Sequence, residues 1–242
     1  EYGQIIKDKE KIKARFAFCF PDSYEIGMSN LGMRILYGVL NQSDDVWCER
    51  VFAPWQDMTA KLREKNILLK AHESGDDVRD FDFLGFTLQY EMCYTNILNV
   101  LELAGIPLTA AERGEEYPIV IGGGPCAVNP EPIAEFFDLF NIGEGEEMLP
   151  EIVALYVKMK EEGASKKEFL LEAARQIPGV YVPSLYDVEY NDDGTVKSYT
   201  PNAEGVPTSV KKRIVENLDT MYFPEAVVMP YLETVQDRIM LE

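Results

Sequence analysis

The chain has 242 residues, 46% of them apolar, which is enough for one large or two small domains with a real core. Its formal net charge is −19, and such a surface repels phosphate backbones and anionic lipid, so autonomous nucleic-acid binding is not expected. No apolar run reaches membrane-spanning length and no charged leader precedes an apolar segment, so no membrane association and a cytoplasmic setting are expected.

Residues 15–20, "RFAFCF", form a short apolar run bounded by Pro21 and read as a buried strand. Residues 31–41 follow, with Leu31, Ile35, Leu36, Val39 and Leu40 on one helical stripe. "VWCERVF" at 46–52 reads as a second strand, and 54–65 as a helix with Pro54 in its first turn. "DFLGFTL" at 82–88 is a third strand, and 95–104 a helix with Ile97, Leu98, Val100 and Leu101 turned inward. "PIVI" before Gly122 and "FDLFNI" before Gly143 supply strands four and five. A helix from about 147 to 160 closes the series, with Pro150 expected in its first turn. Strands and helices alternate, and the strands are continuously apolar. That is the mark of a parallel sheet covered on both faces. The expected fold is α/β: a doubly wound, Rossmann- or flavodoxin-like, five-stranded parallel sheet.

The pattern changes after Gly163. Ser165 to Glu168 spells a capping box that opens a helix to about residue 176, and Pro178-Gly179 stops it. "YDVEYNDDGTVKSYT" alternates around Asp193-Gly194, a hairpin signal. The remainder is extended and punctuated by Pro207, Pro224 and Pro230. The chain therefore divides into a sheet domain over 1–163 and, over 164–242, a helix, a small β appendage and a connecting arm.

Cys19, Cys48, Cys93 and Cys126 are widely separated, and no pair has CxxC spacing. With His72 as the one histidine, neither a zinc site nor an iron–sulfur cluster has enough close ligands. Cys19, Cys48 and Cys93 read as buried thiols, and disulfides are not expected. His72 lies in "KAHESG", which reads as an exposed loop away from the strand ends.

Ligands of open parallel sheets bind beyond the carboxyl ends of the strands. Four segments occupy such places: "PDSYEIGMSNLG", "TLQYE", "GGGPCAVNPEP" and "GEGEE". Gly122, Gly123 and Gly124 let a backbone approach a ligand closely, or make a tight turn. They do not form a GxGxxG fingerprint or a Walker loop. Gly143 and Gly145 carry the same two readings. Glu144, Glu146 and Glu147 at a helix start are favoured by the macrodipole and disfavour a free phosphate there. Asp22 and Ser23 also read as helix caps, and Tyr24 and Tyr90 as core or rim aromatics.

Together these segments resemble the amino-terminal domain of cobalamin-binding-type radical SAM proteins. "FPDSYEIGMSNLG", "FDFLGFTLQYE", "IGGGPCAVNPEP" and "NIGEGEE" stand in that family's order over residues 15–160, and "ERVFAPWQDM" narrows the likeness to an uncharacterised branch. The family's cobalamin pattern is a DxHxxG loop, an SxL segment and a GG pair. Asp22 to Gly27 has the first spacing, with Tyr24 at the histidine position; Thr87-Leu88-Gln89 stands loosely for the second, and Gly122 to Gly124 match the third. The resemblance implies cobalamin held base-off and without a histidine ligand. The corrin ring would be met by Asp22, Tyr24, Met28, Ser29 and Asn30, and the cofactor's tail by the two glycine openings, Gly122, Gly123 and Gly124 with Gly143, Glu144 and Gly145; Thr87, Leu88 and Gln89 complete the implied cofactor-binding set. No catalytic residue or metal ligand is assigned. The CxxxCxxC motif for the 4Fe-4S cluster is absent, and "TVQDRIMLE" reads as a first barrel strand. The cluster, S-adenosylmethionine and the radical chemistry are therefore expected in a downstream barrel of the same protein, which is the implied partner.

Two alternatives stay open. One is a docking or substrate-recruitment domain that keeps the fold without the cofactor, which Tyr24 at the histidine position favours. The other is a flavodoxin-like domain for a flavin, for which "PDSYEIG" is a poor phosphate loop. The acidic composition makes one prediction independent of these: a mobility-shift titration with generic RNA at moderate salt gives no complex. Binding that weakens steeply with salt would contradict it, because that slope reports phosphate contacts.

Overall fold

The computed structural model describes residues 1–225 and Val228. Five parallel strands form the centre: β1 (Ala14–Phe20), β2 (Val46–Phe52), β3 (Phe83–Thr87), β4 (Ile119–Gly123) and β5 (Leu139–Asn141). A sixth strand, β6 (Val180–Tyr181), adds to β5 antiparallel. The order is β2-β1-β3-β4-β5-β6, so the parallel part has the flavodoxin-like order. A separate hairpin, β7 (Tyr186–Tyr190) with β8 (Val196–Pro201), turns at Gly194 with φ +82°.

The helices are α1 (Tyr24–Ser29), α2 (Leu31–Asn41), α3 (Gln56–Lys65), α4 (Tyr94–Leu103), α5 (Gly145–Glu161) and α6 (Lys166–Gln176). α2, α5 and α6 lie side by side, and α3 lies beside α4. Among the described residues no helix is long and apolar enough to cross a membrane. The capping box at Ser165 and Glu168 is formed.

Four details differ from the sequence expectation. α3 begins at Gln56 with Trp55 as its N-cap, so Pro54 precedes the helix and is not in its first turn. "YEIGMS" is a helix rather than a loop. The link from β4 to β5 carries two short 3-10 segments, Pro125–Val128 and Glu131–Phe136, because Pro125, Pro130 and Pro132 remove the N–H groups an α-helix needs. α5 begins at Gly145, so Pro150 falls in its second turn and offers no N–H to the carbonyl of Glu146. The barrel strand expected over 230–242 lies outside the described residues.

The core is an aromatic file. Phe16 stacks on Phe83 with centroids 5.4 Å apart, and Phe83 meets Tyr156 of α5 at 4.7 Å and Phe169 of α6 at 6.2 Å. Gly85 of β3 makes room for Phe16, whose ring lies 2.6 Å from where a Cβ would stand. Cys19, Cys48 and Cys93 are buried free thiols.

β2 is the edge strand, yet it buries two charges. Glu49 accepts from Arg15 and from the Ser74 backbone N–H at 2.9 Å. Arg50 Nε lies 2.6 Å from Glu73, whose other oxygen accepts the Arg50 backbone N–H at 2.7 Å. His72 donates its N–H to the Arg50 carbonyl at 2.8 Å. Residues 72–74 thus satisfy the open edge through side chains as well as backbone, which denies it to another strand. Burial disfavours the Arg50 charge, but Glu1 and Glu73 raise its pKa above the ordinary value. Replacing Glu73 by Ala leaves Arg50 buried with one carboxylate fewer. We expect a loss of about 3–5 kcal/mol in urea unfolding, whereas Lys61→Ala, at an exposed ion pair, changes stability by under about 1 kcal/mol.

Candidate functional site

In this strand order the chain reverses direction between β1 and β3, and their carboxyl ends diverge to leave a crevice. The loops beyond them hold each other. Tyr90 donates its hydroxyl to Asp22 Oδ2 at 3.1 Å, and Asn96 donates to the Pro21 carbonyl at 2.9 Å. Asp22 Oδ1 accepts the Ser23 N–H at 2.7 Å. The hydrogen bond to Asp22 raises the Tyr90 pKa, since the carboxylate prefers the protonated phenol. Beside this clasp lies a cleft of about 390 Å³ lined by Asp22, Ser23, Trp55, Arg63 and Asn96.

Tyr24 opens α1. Its ring meets Phe52 at 5.1 Å and His72 at 5.4 Å, and its hydroxyl donates to Glu1. Glu1 also accepts from Arg50 at 2.6 Å and lies 3.3 Å from His72 Nε2. Burial opposes ionisation of Glu1, but hydrogen bonds from Arg50 and Tyr24 outweigh it and bring the carboxyl down to about 2. The expectation for His72 is therefore corrected in one respect. It is an exposed turn residue as expected, but a contact across 48 positions sets its ring against Tyr24 at the start of α1, beside a strand end.

The other residues of that loop separate. Met28 turns inward, 1% exposed, with Sδ 3.1 Å from Arg50 Nη1. The exposed apolar group on α1 is Ile26. Ser29 donates to the Glu25 carbonyl at 2.8 Å, and Asn30 caps α2 by accepting the Met33 N–H at 2.9 Å.

The three glycines after β4 differ sharply. A Cβ on Gly122 would stand 2.8 Å from the Phe140 ring. Gly124 has φ +104°, and its Cβ would meet the Leu88 backbone at 3.1 Å. Leu88 is buried, donates its N–H to the Gly123 carbonyl at 2.6 Å and accepts the Cys126 N–H at 3.0 Å. It is a clip between the loops after β3 and β4. Of the three, Gly123 alone leaves room for a Cβ, which would make ordinary contact with Asn141 Cβ at 3.5 Å. Thr87, Gly123 and Asn141 end their strands in one register row. Gln89 donates to Thr87 Oγ1. Among the described residues, Asn141 Oδ1 has no hydrogen-bond partner although it is buried.

The second glycine opening is filled by the chain itself. Gly143 has φ +123°, and the Arg213 backbone lies 2.2 Å from its Cβ direction. Arg213 donates its N–H to Ile142 at 2.9 Å, Glu144 donates its N–H to Arg213 at 3.1 Å, and the Val215 N–H donates to the Glu144 carboxylate. The Arg213 side chain lies 3.0 Å from Glu147 and 2.7 Å from Glu151. Gly145 rests on Leu36 of α2. The acidic turn therefore holds the arm, and the arm occupies the backbone approach that sequence reading left for a ligand.

A groove of about 1110 Å³ lies at the amino ends of β4 and β5, above a buried cluster of Arg113, Asp138 and Lys166. It is far from the strand ends at which such sheets bind ligands. Among the described residues no three His, Cys, Asp or Glu side chains are grouped to hold a metal ion.

A flavodoxin-ordered sheet with clasped loops at its reversal point defines a Rossmann-like α/β domain. The model of the family described as "Radical SAM proteins, N-terminal" matches residues 32–183, and the chain belongs to that family. An uncharacterized protein of Methanocaldococcus jannaschii is 25% identical over 203 residues, covering 69% of this chain and 40% of its own. The chain thus spans less than half the length of that relative. The radical S-adenosylmethionine methyltransferase TsrM from Kitasatospora setae, solved with tryptophan and a SAM analog bound, is similar over 75% of this chain and 29% of its own. The TM-score is 0.41 and the identity 16%.

The glycine geometry predicts an ordered set of stabilities. Gly123→Ala stays within about 1 kcal/mol of the parent in urea unfolding, because its new Cβ meets only ordinary contacts. Gly124→Ala loses about 1–3 kcal/mol from backbone strain. Gly122→Ala loses a similar amount through overpacking against Phe140.

Proposed function

We propose that this domain is the corrinoid-binding module of a radical SAM enzyme, holding cobalamin base-off and without a histidine ligand over the carboxyl ends of β1, β3 and β4. The observation that carries the reading is Gly123. It ends β4 beside the β1–β3 crevice, and a Cβ there would meet only ordinary contacts with Asn141, while both its glycine neighbours are closed by protein atoms. Asp22, Tyr24, Ser29 and Asn30 would border the ring; Thr87, Gln89 and Gly123 would meet the tail. Leu88, Gly122 and Gly124 shape that wall from behind, and Met28 supports it from the core. Gly143 and Glu144 serve the arm, and Gly145 packs on α2. Cobalamin, when bound, supplies a cobalt centre suited to methyl transfer. The residues of this chain bind it, orient it and shield one face from water. The 4Fe-4S cluster and S-adenosylmethionine belong, in this reading, to a barrel elsewhere in the same protein, and the substrate is met there.

A second reading is a docking domain without cofactor. The filled Gly143 opening and Tyr24 at the histidine position favour it.

The test is incubation with hydroxocobalamin, desalting and a visible spectrum. We expect a retained corrinoid band, lost in Gly123→Val with the circular dichroism unchanged, and kept in Tyr24→Phe. The Co(II) form should show no nitrogen superhyperfine splitting, whereas a three-line pattern would mean that His72 or the cofactor's own base is a ligand. No band from the parent chain would sink the corrinoid reading and leave the docking domain.

A further inference from the structure

The row Thr87, Gly123, Asn141 has the form of a notch. Residues in register on neighbouring parallel strands direct their side chains to the same face of the sheet. Two polar side chains, 8% and 4% exposed, therefore flank a glycine that contributes none. Asn141 Oδ1 is buried without a partner among the described residues. Its amide nitrogen makes one long bond, 3.3 Å to the Gly143 carbonyl. Thr87 Oγ1 accepts from Gln89, and no acceptor for its own hydrogen is found among the described residues. Among the described residues, then, Asn141 on one side of Gly123 turns its Nδ2 toward the glycine and leaves Oδ1 without a partner, and on the other side the Thr87 hydroxyl hydrogen has no acceptor. A buried polar group without a partner is rare in folded proteins, so Asn141 Oδ1 calls for an explanation.

We infer that Thr87 and Asn141 form a polar notch over Gly123 that takes a carboxamide group of the bound ligand. A carboxamide carries both an N–H donor for Asn141 and a carbonyl acceptor for the Thr87 hydroxyl. Strands two apart lie about 9.6 Å from each other, a gap that two side chains, two hydrogen bonds of about 2.9 Å and one amide can bridge. A carboxylate fits poorly. It brings no donor for Asn141, and Glu144 sits three residues beyond the end of β5. An ammonium fits poorly as well, since it brings no acceptor for Thr87. Asn141 Oδ1 comes forward by rotation about its broad terminal torsion, which gives up only the long contact with Gly143. The notch opens to solvent through Gly123, which is half-buried. The inference deepens the reading above, because the corrin periphery carries carboxamides, and it rests on that reading only for the identity of the whole ligand.

The test uses acetamide as the probe and the ¹⁵N-labelled chain. On titration the Asn141 side-chain amide and the N–H groups of Thr87 and Gly123 should shift, acetate should leave them in place, and both Asn141→Leu and Thr87→Val should abolish the shifts. Absence of shifts, or equal shifts with acetate, overturns the notch. Asn141→Leu removes the orphaned group, so its melting temperature should match or exceed that of the parent; a fall of more than about 4 °C, roughly 1 kcal/mol or more for a chain of this size, assigns Asn141 a structural role and overturns the inference. If the Leu variant does not fold, Asn141→Ala replaces it in both measurements. With hydroxocobalamin, affinity should fall at least about tenfold in Asn141→Leu. A corrinoid bound equally well by that variant sinks the notch and leaves the corrinoid reading standing. Acetamide shifts in a chain that retains no corrinoid sink that reading and leave the notch.

Discussion

The carboxyl edge of this sheet depends on the register of β3, β4 and β5, and that register is locked at one place. Leu88 both donates to Gly123 and accepts from Cys126, so the residue after β3 is bonded on both sides of the glycine turn after β4. The double bond requires the backbone of Gly124 to pass 3.1 Å from Leu88 at a positive φ, which only glycine does without strain. Because the clip fixes where β3 and β4 end, it also fixes that Thr87 and Gly123 are partners and that Asn141 completes their row. A slip of one residue would exchange the polar row for the apolar row of Phe86, Gly122 and Phe140 and turn the edge inside out.

Electrostatics follow a related economy. The chain has few cations for its many carboxylates, and several of those cations are used internally. Arg15 and Arg50 neutralise Glu49 and Glu73 inside the edge strand, Arg113 and Lys166 share Asp138, and Arg213 bridges Glu147 and Glu151. These pairs take up cations and carboxylates in equal number, so the excess of carboxylates stays with the remaining groups. Both Tyr24 and Met28 touch the Arg50 network, Tyr24 through Glu1 and Met28 through its sulfur. The loop after β1 is therefore anchored on a buried charge, which gives the crevice a firm wall on that side.

Much of the fold was legible because local chemistry decided it. The apolar runs at 15–20 and 46–52 became strands nearly to the residue, Ser165 and Glu168 capped their helix, and Asp193-Gly194 turned the hairpin. Long-range contacts were not legible. Tyr24 and His72 are 48 positions apart, and Gly143 and Arg213 are 70 apart, so no periodicity could bring either pair together. The glycines were read as one group by type, yet their neighbours give them three separate roles. Asn141 offered a signal that went unused: a polar side chain at the end of "FDLFN", inside an otherwise buried run. The two-residue β6 was too short to show any pattern, and the strand order is set by crossovers that sequence periodicity does not encode.

The arm at Arg213 bears on how the domain can be cut from its surroundings. Ile142 takes its N–H partner from Gly179 and gives its carbonyl to Arg213, so segments from three distant parts of the chain meet at one residue. An excision ending before Arg213 would keep every strand of the central sheet, yet it would strip the cation from Glu147 and Glu151 and leave the Gly143 turn bare. Sheet topology alone would place the boundary near β6, at Tyr181. The hydrogen bonds place it at least 34 residues later, beyond Val215.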